Sequence, residues 1–267
     1  MDIGSLIGLI AGIVFVIVSI LINGNWEFAS VAAFGDAPSV MIVIGGAFAS
    51  VFIGQPLPRF IAAMKATKFV FMPPNYDHAE AITRIITLSN LARREGVLAL
   101  EESAQNMDDP FLQKGIMLIV DGADPELVRS VLETEMTFVE NRHNDIKAVW
   151  EMIASFAPAW GMVGTMVALV LMMGSLTDID ALAANMALAM ITTFYGALMA
   201  NFLAGPFARK LSVYNAEEML LKEVLIEGML SIQNGENPRI IEEKLKAFLA
   251  PSLRASGDGG GDGGGES

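Results

Sequence analysis

Hydroxyl and amide side chains stand out in two segments of the sequence that are otherwise apolar. The first segment carries Pro158 and Thr165 in the run APAWGMVGT, and the second carries Thr192, Thr193 and Asn201 in ITTFYGALMAN. Hydroxyl and amide oxygens suit a hard cation that has lost part of its hydration water. A threonine hydroxyl in a helix also commonly bonds a backbone carbonyl one turn earlier. From the residues alone, the structural role is therefore favoured for each threonine.

No ionisable side chain accompanies these oxygens. Four apolar stretches, residues 3–22, 37–54, 152–177 and 181–208, contain no Asp, Glu, Lys, Arg or His. Ionisable groups inside a bilayer are costly, and where they occur they usually act in transport. If this chain moves ions through these stretches, the carboxylate must come from another polypeptide.

The four stretches predict membrane-spanning helices. About 20 apolar residues cross a hydrocarbon core roughly 30 Å thick, and 53% of the 267 residues are hydrophobic whereas 18% are charged. The first stretch has no basic flank and no convincing cleavage site, so we interpret it as a retained helix rather than a signal peptide. The sequence has no cysteine, which excludes a disulfide framework and a cysteine metal site.

The positions of the basic residues predict the orientation in the membrane. Lys and Arg follow the second and fourth spans, whereas the connections 23–36 and 178–180 carry only acidic charges. Because cytoplasmic flanks are enriched in Lys and Arg, both termini and the large middle segment are predicted to be cytoplasmic in a multi-pass inner-membrane protein. A formal net charge of -13 without a basic face argues against nucleic-acid binding.

The cytoplasmic segments carry helix signals. Asp77 and Glu80 resemble a capping box, and Asp124 followed by Pro125 is a stronger helix start. From Pro125 the helical pattern continues into the third span, and the fourth span continues to about Ile232. The predicted fold class is an all-α integral membrane protein with four transmembrane helices, of which the third and fourth extend into a helical cytoplasmic domain.

The predicted domain organisation follows the chain in order. Spans one and two occupy residues 1–58, spans three and four occupy 150–208, and the cytoplasmic parts lie between and after them. The cytoplasmic parts are a helical domain at 59–149, C-terminal helices at 209–254 and a glycine-rich acidic tail at 255–267. The tail composition predicts disorder, because it cannot bury a core.

Several segments together resemble one known family. The two runs quoted above, the opening MDIGSLIGLIAG, the cytoplasmic ARREGVLALEE and the late GMLSIQNGENPRIIEEKL resemble the flagellar stator A subunits, the MotA and PomA family, and look closest to its sodium-type PomA and MotP branch. The resemblance implies a homopentamer in the lipid bilayer around two copies of a MotB- or PomB-type B subunit. In that family the single membrane helix of the B subunit bears the ion-binding Asp.

The resemblance also assigns roles to residues of the membrane spans. It implies that Pro158 lies beside the partner's Asp and that Pro206 is a second proline linked to torque. Thr165 and Thr193 match the threonines associated with sodium in place of proton selectivity, and Thr192 is a weaker neighbour. No metal site is expected beyond transient sodium at Thr165 and Thr193.

Charged residues outside the spans receive roles in the same way. Arg93, Arg94 and Glu101 match the cytoplasmic residues that in the family contact the rotor protein FliG, although from the residues alone they describe a solvated helix face. Asp36 matches an outer acidic residue that could raise the local cation concentration. A simple solvated loop charge is an equally good interpretation of Asp36.

The function implied is an ion-conducting, torque-generating stator subunit that uses sodium, with the proton as the alternative ion. It is not an enzyme and needs no cofactor, because no bond is made or broken in a substrate. The nearest alternative is an energiser of the ExbB or TolQ kind, against which the four spans and the large loop between the second and third argue. A self-sufficient channel and a passive membrane anchor are further alternatives.

Overall fold

The structure is a computed structural model that describes residues 2–249. These residues form helices joined by short connections and contain no strand. The predicted disordered tail at 255–267 lies outside the described residues. The helices are α1 Ile3–Asn23, α2 Phe28–Ala32, α3 Ala37–Val40, α4 Gly46–Gly54, α5 Leu57–Phe71, α6 His78–Glu95, α7 Leu100–Gln105, α8 Pro110–Val120, α9 Pro125–Gly174, α10 Ile179–Leu198, α11 Gly205–Gln233 and α12 Pro238–Lys246.

Four helices are long and apolar enough to cross a membrane. They are Ile3–Asn23, Phe28–Gly54, Pro125–Gly174 and Ile179–Gln233, and they confirm the predicted all-α fold with third and fourth helices that continue far beyond an apolar span. The third helix ends at Gly174 and the next begins at Ile179, whereas the predicted spans end at 177 and begin at 181. The fourth begins early because the Asp178 carboxylate accepts from the N–H groups of Asp180 and Ala181, both at 3.1 Å.

The described residues divide into two compact units. One lies within Met1–Pro74 and Arg142–Tyr214, and the other within Asn75–Asn141 and Asn215–Ser267. The first unit therefore holds the apolar spans together with residues 59–74, 142–149 and 209–214, and the second holds the rest of the segments that the sequence predicts to be cytoplasmic.

The first unit has a core of aromatic and small residues. Trp150 is buried with Ile153, Val51 and Ala204. Its indole N–H donates to the carbonyl of Ala63 at 3.2 Å, which satisfies the one polar group of a buried tryptophan. Tight packing of small and aromatic side chains is the usual means by which helices associate in lipid.

The second unit is a helical domain with an aliphatic core. The largest fully buried side chains there include Ile85, Leu112, Leu132 and Met229, and they come from α6, α8, α9 and α11. Such a core excludes water in the ordinary way of a soluble domain.

Hydrogen bonds at the helix starts fix where the helices of the second unit begin. Asp77 accepts from the Glu80 N–H at 2.9 Å, and Asp124 accepts from the Glu126 N–H at 2.9 Å. The Tyr76 hydroxyl donates to Glu218 at 2.8 Å. Burial and this hydrogen bond raise the pKa of Tyr76.

Two π-helical segments and one short helix are additions to the predicted architecture. The π-helical segments are Met41–Gly45 and Met199–Ala204, and the short helix, Phe28–Ala32, lies in the connection that the sequence presents as a loop. A π-helical segment is a local change of hydrogen bonding inside an α-helix, so hydropathy does not reveal it.

Candidate ion-pathway site

The third and fourth spans cross at unusually short range because both carry glycine there. A Cβ atom built on Gly196 of α10 would lie 2.7 Å from the Ala157 carbonyl oxygen and 3.1 Å from the Pro158 Cα. A Cβ built on Gly161 of α9 would lie 3.0 Å from the Thr192 carbonyl oxygen. The two backbones therefore touch at this point, which we call the glycine crossing (Ala157, Pro158, Gly161, Thr192 and Gly196).

The crossing brings together most of the predicted ion-pathway residues. Pro158 and Thr192 belong to it, and the Thr193 Cα would lie 3.5 Å from a Cβ on Gly161. Thr165 follows Gly161 by one helical turn on the same helix. Pro206 and Asp36 lie on other segments, after the second π-helical segment and at the start of α3 respectively.

Each threonine hydroxyl donates to a backbone carbonyl of its own helix. Thr165 donates to Met162 at 2.7 Å, Thr192 to Ala189 at 3.0 Å and Thr193 to Ala189 at 3.1 Å. A hydroxyl that donates its hydrogen keeps two acceptor lone pairs. These bonds therefore orient the oxygens without preventing them from accepting a cation.

The three threonines differ in accessibility. Thr192 is fully buried at 0% exposure, and a Cβ on Gly164 would lie 2.5 Å from its methyl carbon, so Thr192 fills the space between the helices. Thr193 is exposed and Thr165 is half-buried. Of the three, only Thr165 and Thr193 are accessible to an ion or to another chain.

A shallow apolar groove of about 540 Å³ runs along α9, and Thr165 is not among its lining residues. Its lining includes Met162, Met166 and Val170, of which Met166 is 63% exposed and Val170 72% exposed. This face suits lipid or another apolar helix.

Pro158 and Pro206 interrupt helical hydrogen bonding in different surroundings. Pro158 lies inside the continuous helix α9 and is half-buried at the crossing. Pro206 is exposed and follows the π-helical segment Met199–Ala204. Since proline lacks an N–H, each leaves a carbonyl of the preceding turn without its usual partner.

Asp36 has a structural partner. Its carboxylate caps α3 by accepting from the Ser39 N–H at 2.8 Å and the Ser39 hydroxyl at 2.5 Å, so it is more than a solvated loop charge. The Tyr195 hydroxyl donates to the Phe34 carbonyl nearby. The connection between α1 and α3 is thereby attached to α10.

Glycine and tryptophan residues also form contacts between the second and third spans. They are not among the site residues predicted from the sequence. The Trp160 indole N–H donates to the Ser50 hydroxyl at 2.8 Å, and a Cβ on Gly46 would overlap the Trp160 ring. The four-residue spacing of Gly46, Ser50 and Gly54 is the sequence signal of this packing. Gly196 begins a comparable row of small residues at four-residue spacing, with Ala200, Ala204 and Ala208.

The predicted rotor-binding residues lie on the surface of the second unit. Arg93 and Arg94 are exposed in the last turn of α6, and Glu101 is exposed in the first turn of α7. Neither arginine has an ion pair within 4.0 Å in the part of the chain that the structure describes. Their charges are thus available to a partner, although they also complement the helix dipoles.

The two histidines differ from one another. His78 is buried at 7% exposure, with its Nε2 atom 3.9 Å from a Glu217 oxygen, whereas His143 is half-buried. Among the described residues, no group of three His, Asp or Glu side chains is arranged to hold a metal ion.

Comparisons with known proteins match this architecture along nearly the whole chain. Residues 103–224 match the model of the MotA/TolQ/ExbB proton channel family. Motility protein A of Treponema pallidum (strain Nichols) is 37% identical over 95% of this chain and 96% of its own length. Chemotaxis protein PomA of Vibrio alginolyticus is 37% identical over 96% of this chain and 98% of its own length.

A solved structure agrees in fold. The flagellar MotAB stator complex from Bacillus subtilis contains a chain with a TM-score of 0.85 and 30% sequence identity, covering 95% of this chain and 98% of that chain. The sodium-type branch remains a prediction, because relatives named motility protein A and PomA match at the same 37% identity. On these matches, the chain belongs to the MotA/TolQ/ExbB proton channel family and, within it, to the MotA and PomA type, whose members are not enzymes.

Proposed function

We propose that this chain is the ion-conducting, torque-generating A subunit of a bacterial flagellar stator, that its ion is sodium, and that the ion binds an Asp of a partner B subunit. The observation that carries the proposal is the glycine crossing. It presents threonine oxygens at Thr165 and Thr193, yet the four apolar stretches contain no ionisable side chain.

A passing cation needs both oxygen ligands and a compensating charge. Without a charge, the desolvation cost of the ion at mid-membrane is several kcal/mol or more. The spans offer the ligands only, and the exposed apolar face of α9 suits contact with another helix. A MotB- or PomB-type helix that bears one Asp would supply the missing charge there.

Relatives support the partner's identity. The solved Bacillus subtilis structure is a flagellar MotAB stator complex. We propose the same kind of assembly here, with five copies of this chain around two B subunits in the inner membrane and both termini in the cytoplasm. The transmembrane potential supplies about 2.3 kcal/mol per unit charge per 100 mV, and the sodium gradient adds to it.

Rotation would reach the rotor through the surface that carries Arg93, Arg94 and Glu101. Charges of both signs lie there without ion pairs between them among the described residues, so a rotor protein of the FliG type with the opposite charge pattern could bind. Recharging of the partner's Asp would bias the ring of A subunits to step around the B pair.

The energiser of the ExbB or TolQ kind is the second candidate, since the matching family includes both. Four membrane-length helices with the helical unit between the second and third favour the stator. Deletion of the gene separates the two, because loss of swimming supports the stator and unaltered swimming supports the energiser.

Sodium use is tested by replacement of external sodium with potassium at fixed pH and ionic strength. In a strain that depends on this chain for motility, swimming speed should collapse as sodium is removed. Undiminished speed would contradict the sodium assignment and favour the proton.

Substitution of Thr193 tests the site itself. Thr193→Ala should raise the sodium concentration needed for half-maximal speed, with little change in the amount of protein in the membrane. Thr137→Ala is the matched control, because its hydroxyl makes the same kind of bond, to the Glu133 carbonyl at 2.8 Å, outside the apolar stretches. An equal effect of both variants would contradict the assignment.

A further inference from the structure

Asp2 makes an ion pair with a residue far along the chain. Its carboxylate accepts from the Lys210 ammonium and from the Tyr214 hydroxyl at 3.5 Å. It also caps α1 by accepting from the Gly4 N–H at 3.1 Å and the Ser5 hydroxyl at 2.8 Å. We call Asp2, Lys210 and Tyr214 the Asp2 anchor.

The anchor is partly shielded from water. The Asp2 side chain is 19% exposed and that of Lys210 is 30% exposed. The Asp2 backbone N–H donates to the Phe71 carbonyl at 2.9 Å, so α1, α5 and α11 meet here. Shielding from water makes an ion pair stronger than it is at an open surface.

Lys210 and Tyr214 occupy a defined place on α11. They follow Pro206 by four and eight residues, so the three residues lie on one face of the helix. The ring of Phe207, the residue after Pro206, packs edge-to-face against the ring of Phe71, with ring centroids 5.9 Å apart. The first turns of α11 are therefore held firmly to the cytoplasmic ends of α1 and α5.

The segment just before Pro206 is the compliant part of this helix. In Met199–Ala204 the bonding is π-helical, and the Gly205 N–H donates to the Ala200 carbonyl, five residues back. Asn201 donates its side-chain amide to the Ala197 carbonyl at 3.0 Å. Such interruptions, followed by a proline, are the points where helices bend.

We propose that Asp2 is a positioning residue for torque generation. It anchors the cytoplasmic arm of the fourth span. A conformational change at the glycine crossing is therefore transmitted through Met199–Ala204 and is not lost in movement of a loose helix end. The outer arm is fixed at Gly196 and Thr192, and the inner arm is fixed at Asp2. This inference rests on the proposed function, since it requires that the crossing change state as ions pass.

Two substitutions separate the charge of Asp2 from its capping role. Asp2→Asn keeps a good helix cap but removes the charge, because Asn and Asp cap equally well. Asp2→Glu keeps the charge but is the weaker cap. Asp77→Asn is the matched control, since Asp77 caps α6 through the Glu80 N–H and makes no ion pair among residues 2–249.

Motility and hydrogen exchange are measured on the full chain with its partner. Asp2→Asn should lower the maximal swimming speed severalfold at unchanged half-saturating sodium, while Asp2→Glu and Asp77→Asn remain near wild type. In the purified complex, Asp2→Asn should speed amide hydrogen exchange in residues 205–214, and the other two variants should not.

Any one of three results overturns the anchor. Normal maximal speed of Asp2→Asn despite faster exchange would mean that the contact positions nothing, and unchanged exchange would mean that the contact holds nothing. A fall in speed for Asp2→Glu equal to that for Asp2→Asn would show that the retained charge does not position the helix, and would also overturn the anchor. Failure of the wild-type chain to support swimming counts against the proposed function instead, and the exchange result then still decides the anchor.

Discussion

The threonines near the crossing differ in how far they are exposed. Thr192 is fully buried between the helices, whereas Thr193 is exposed and Thr165 half-buried. The residue types and the resemblance group the three together, and only the helix contacts separate them. Burial of Thr192 follows from the absence of a side chain on Gly164, which lies on another helix, so no local pattern in the sequence reveals it.

Gly196→Ala tests the closeness of the crossing. The added methyl would lie 2.7 Å from the Ala157 carbonyl oxygen, so the helices must separate. We expect a loss of about 1–3 kcal/mol of stability, typical of overpacking, and loss of motility. The measurement is the thermal midpoint of the purified protein together with swimming speed.

Gly174→Ala is the control for that substitution, because a Cβ there meets no atom within 4 Å and the residue belongs to α9. Equal thermal midpoints for the two variants would show that the helices do not touch as described.

Asp2 gives a pH prediction at the same scale. The hydrogen bond from Lys210, and then that from Ser5, lowers the pKa of Asp2 to about 2 from its ordinary 3.8. Because the folded pKa is the lower one, the stabilisation is present above about 3.8 and is lost as the pH falls towards 2.

The difference in thermal midpoint between the wild type and Asp2→Asn should therefore stay constant from pH 8 to pH 5 and shrink only below about pH 4. A difference that already disappears near pH 6 would contradict a lowered pKa at this carboxylate.

At the scale of elements, helix ends follow from short sequence signals and helix interruptions do not. Asp77 and Asp124 begin α6 and α9 as their cap chemistry predicts. Gly235, with a φ of 70°, follows the end of α11. The π-helical segment Met199–Ala204 contains Asn201 and precedes Gly205 and Pro206, but these residue types do not specify π-helical bonding.

Gly205→Ala tests the π-helical segment. A Cβ on Gly205 would lie 2.9 Å from the Ala200 carbonyl oxygen, which is the acceptor of the five-residue bond, so the methyl should disrupt that bond. We expect reduced maximal speed with normal membrane levels, and faster hydrogen exchange confined to residues around 199–205. Wild-type speed and exchange would mean that the interruption has no role in coupling.

At the scale of the whole molecule, hydropathy and charge distribution predict four spans and a cytoplasmic helical part, and the structure has four membrane-length helices and two units. The prediction succeeds because a bilayer demands long apolar helices. Packing within each unit depends on contacts between distant parts of the chain, such as the Trp150 indole with the Ala63 carbonyl, and this contact cannot be inferred from local patterns.

Charge reversal tests the rotor-binding surface. Arg93→Glu combined with Arg94→Glu should abolish rotation while leaving membrane levels and ion flux unchanged, because both side chains are exposed and stabilise little within the chain. Speed in tethered-cell rotation is the measurement. Arg239→Glu is the control, since Arg239 is also exposed in the second unit, and an equal loss in that variant would remove the assignment.

Ion flux into vesicles tests the central claim most directly. The purified chain would be reconstituted alone, with a one-helix B subunit, and with the same B subunit in which the membrane Asp is replaced by Asn. We predict sodium flux only with the intact partner, because the apolar stretches of this chain lack an ionisable group. Robust flux through the chain alone, or undiminished flux with the Asn partner, would contradict the account.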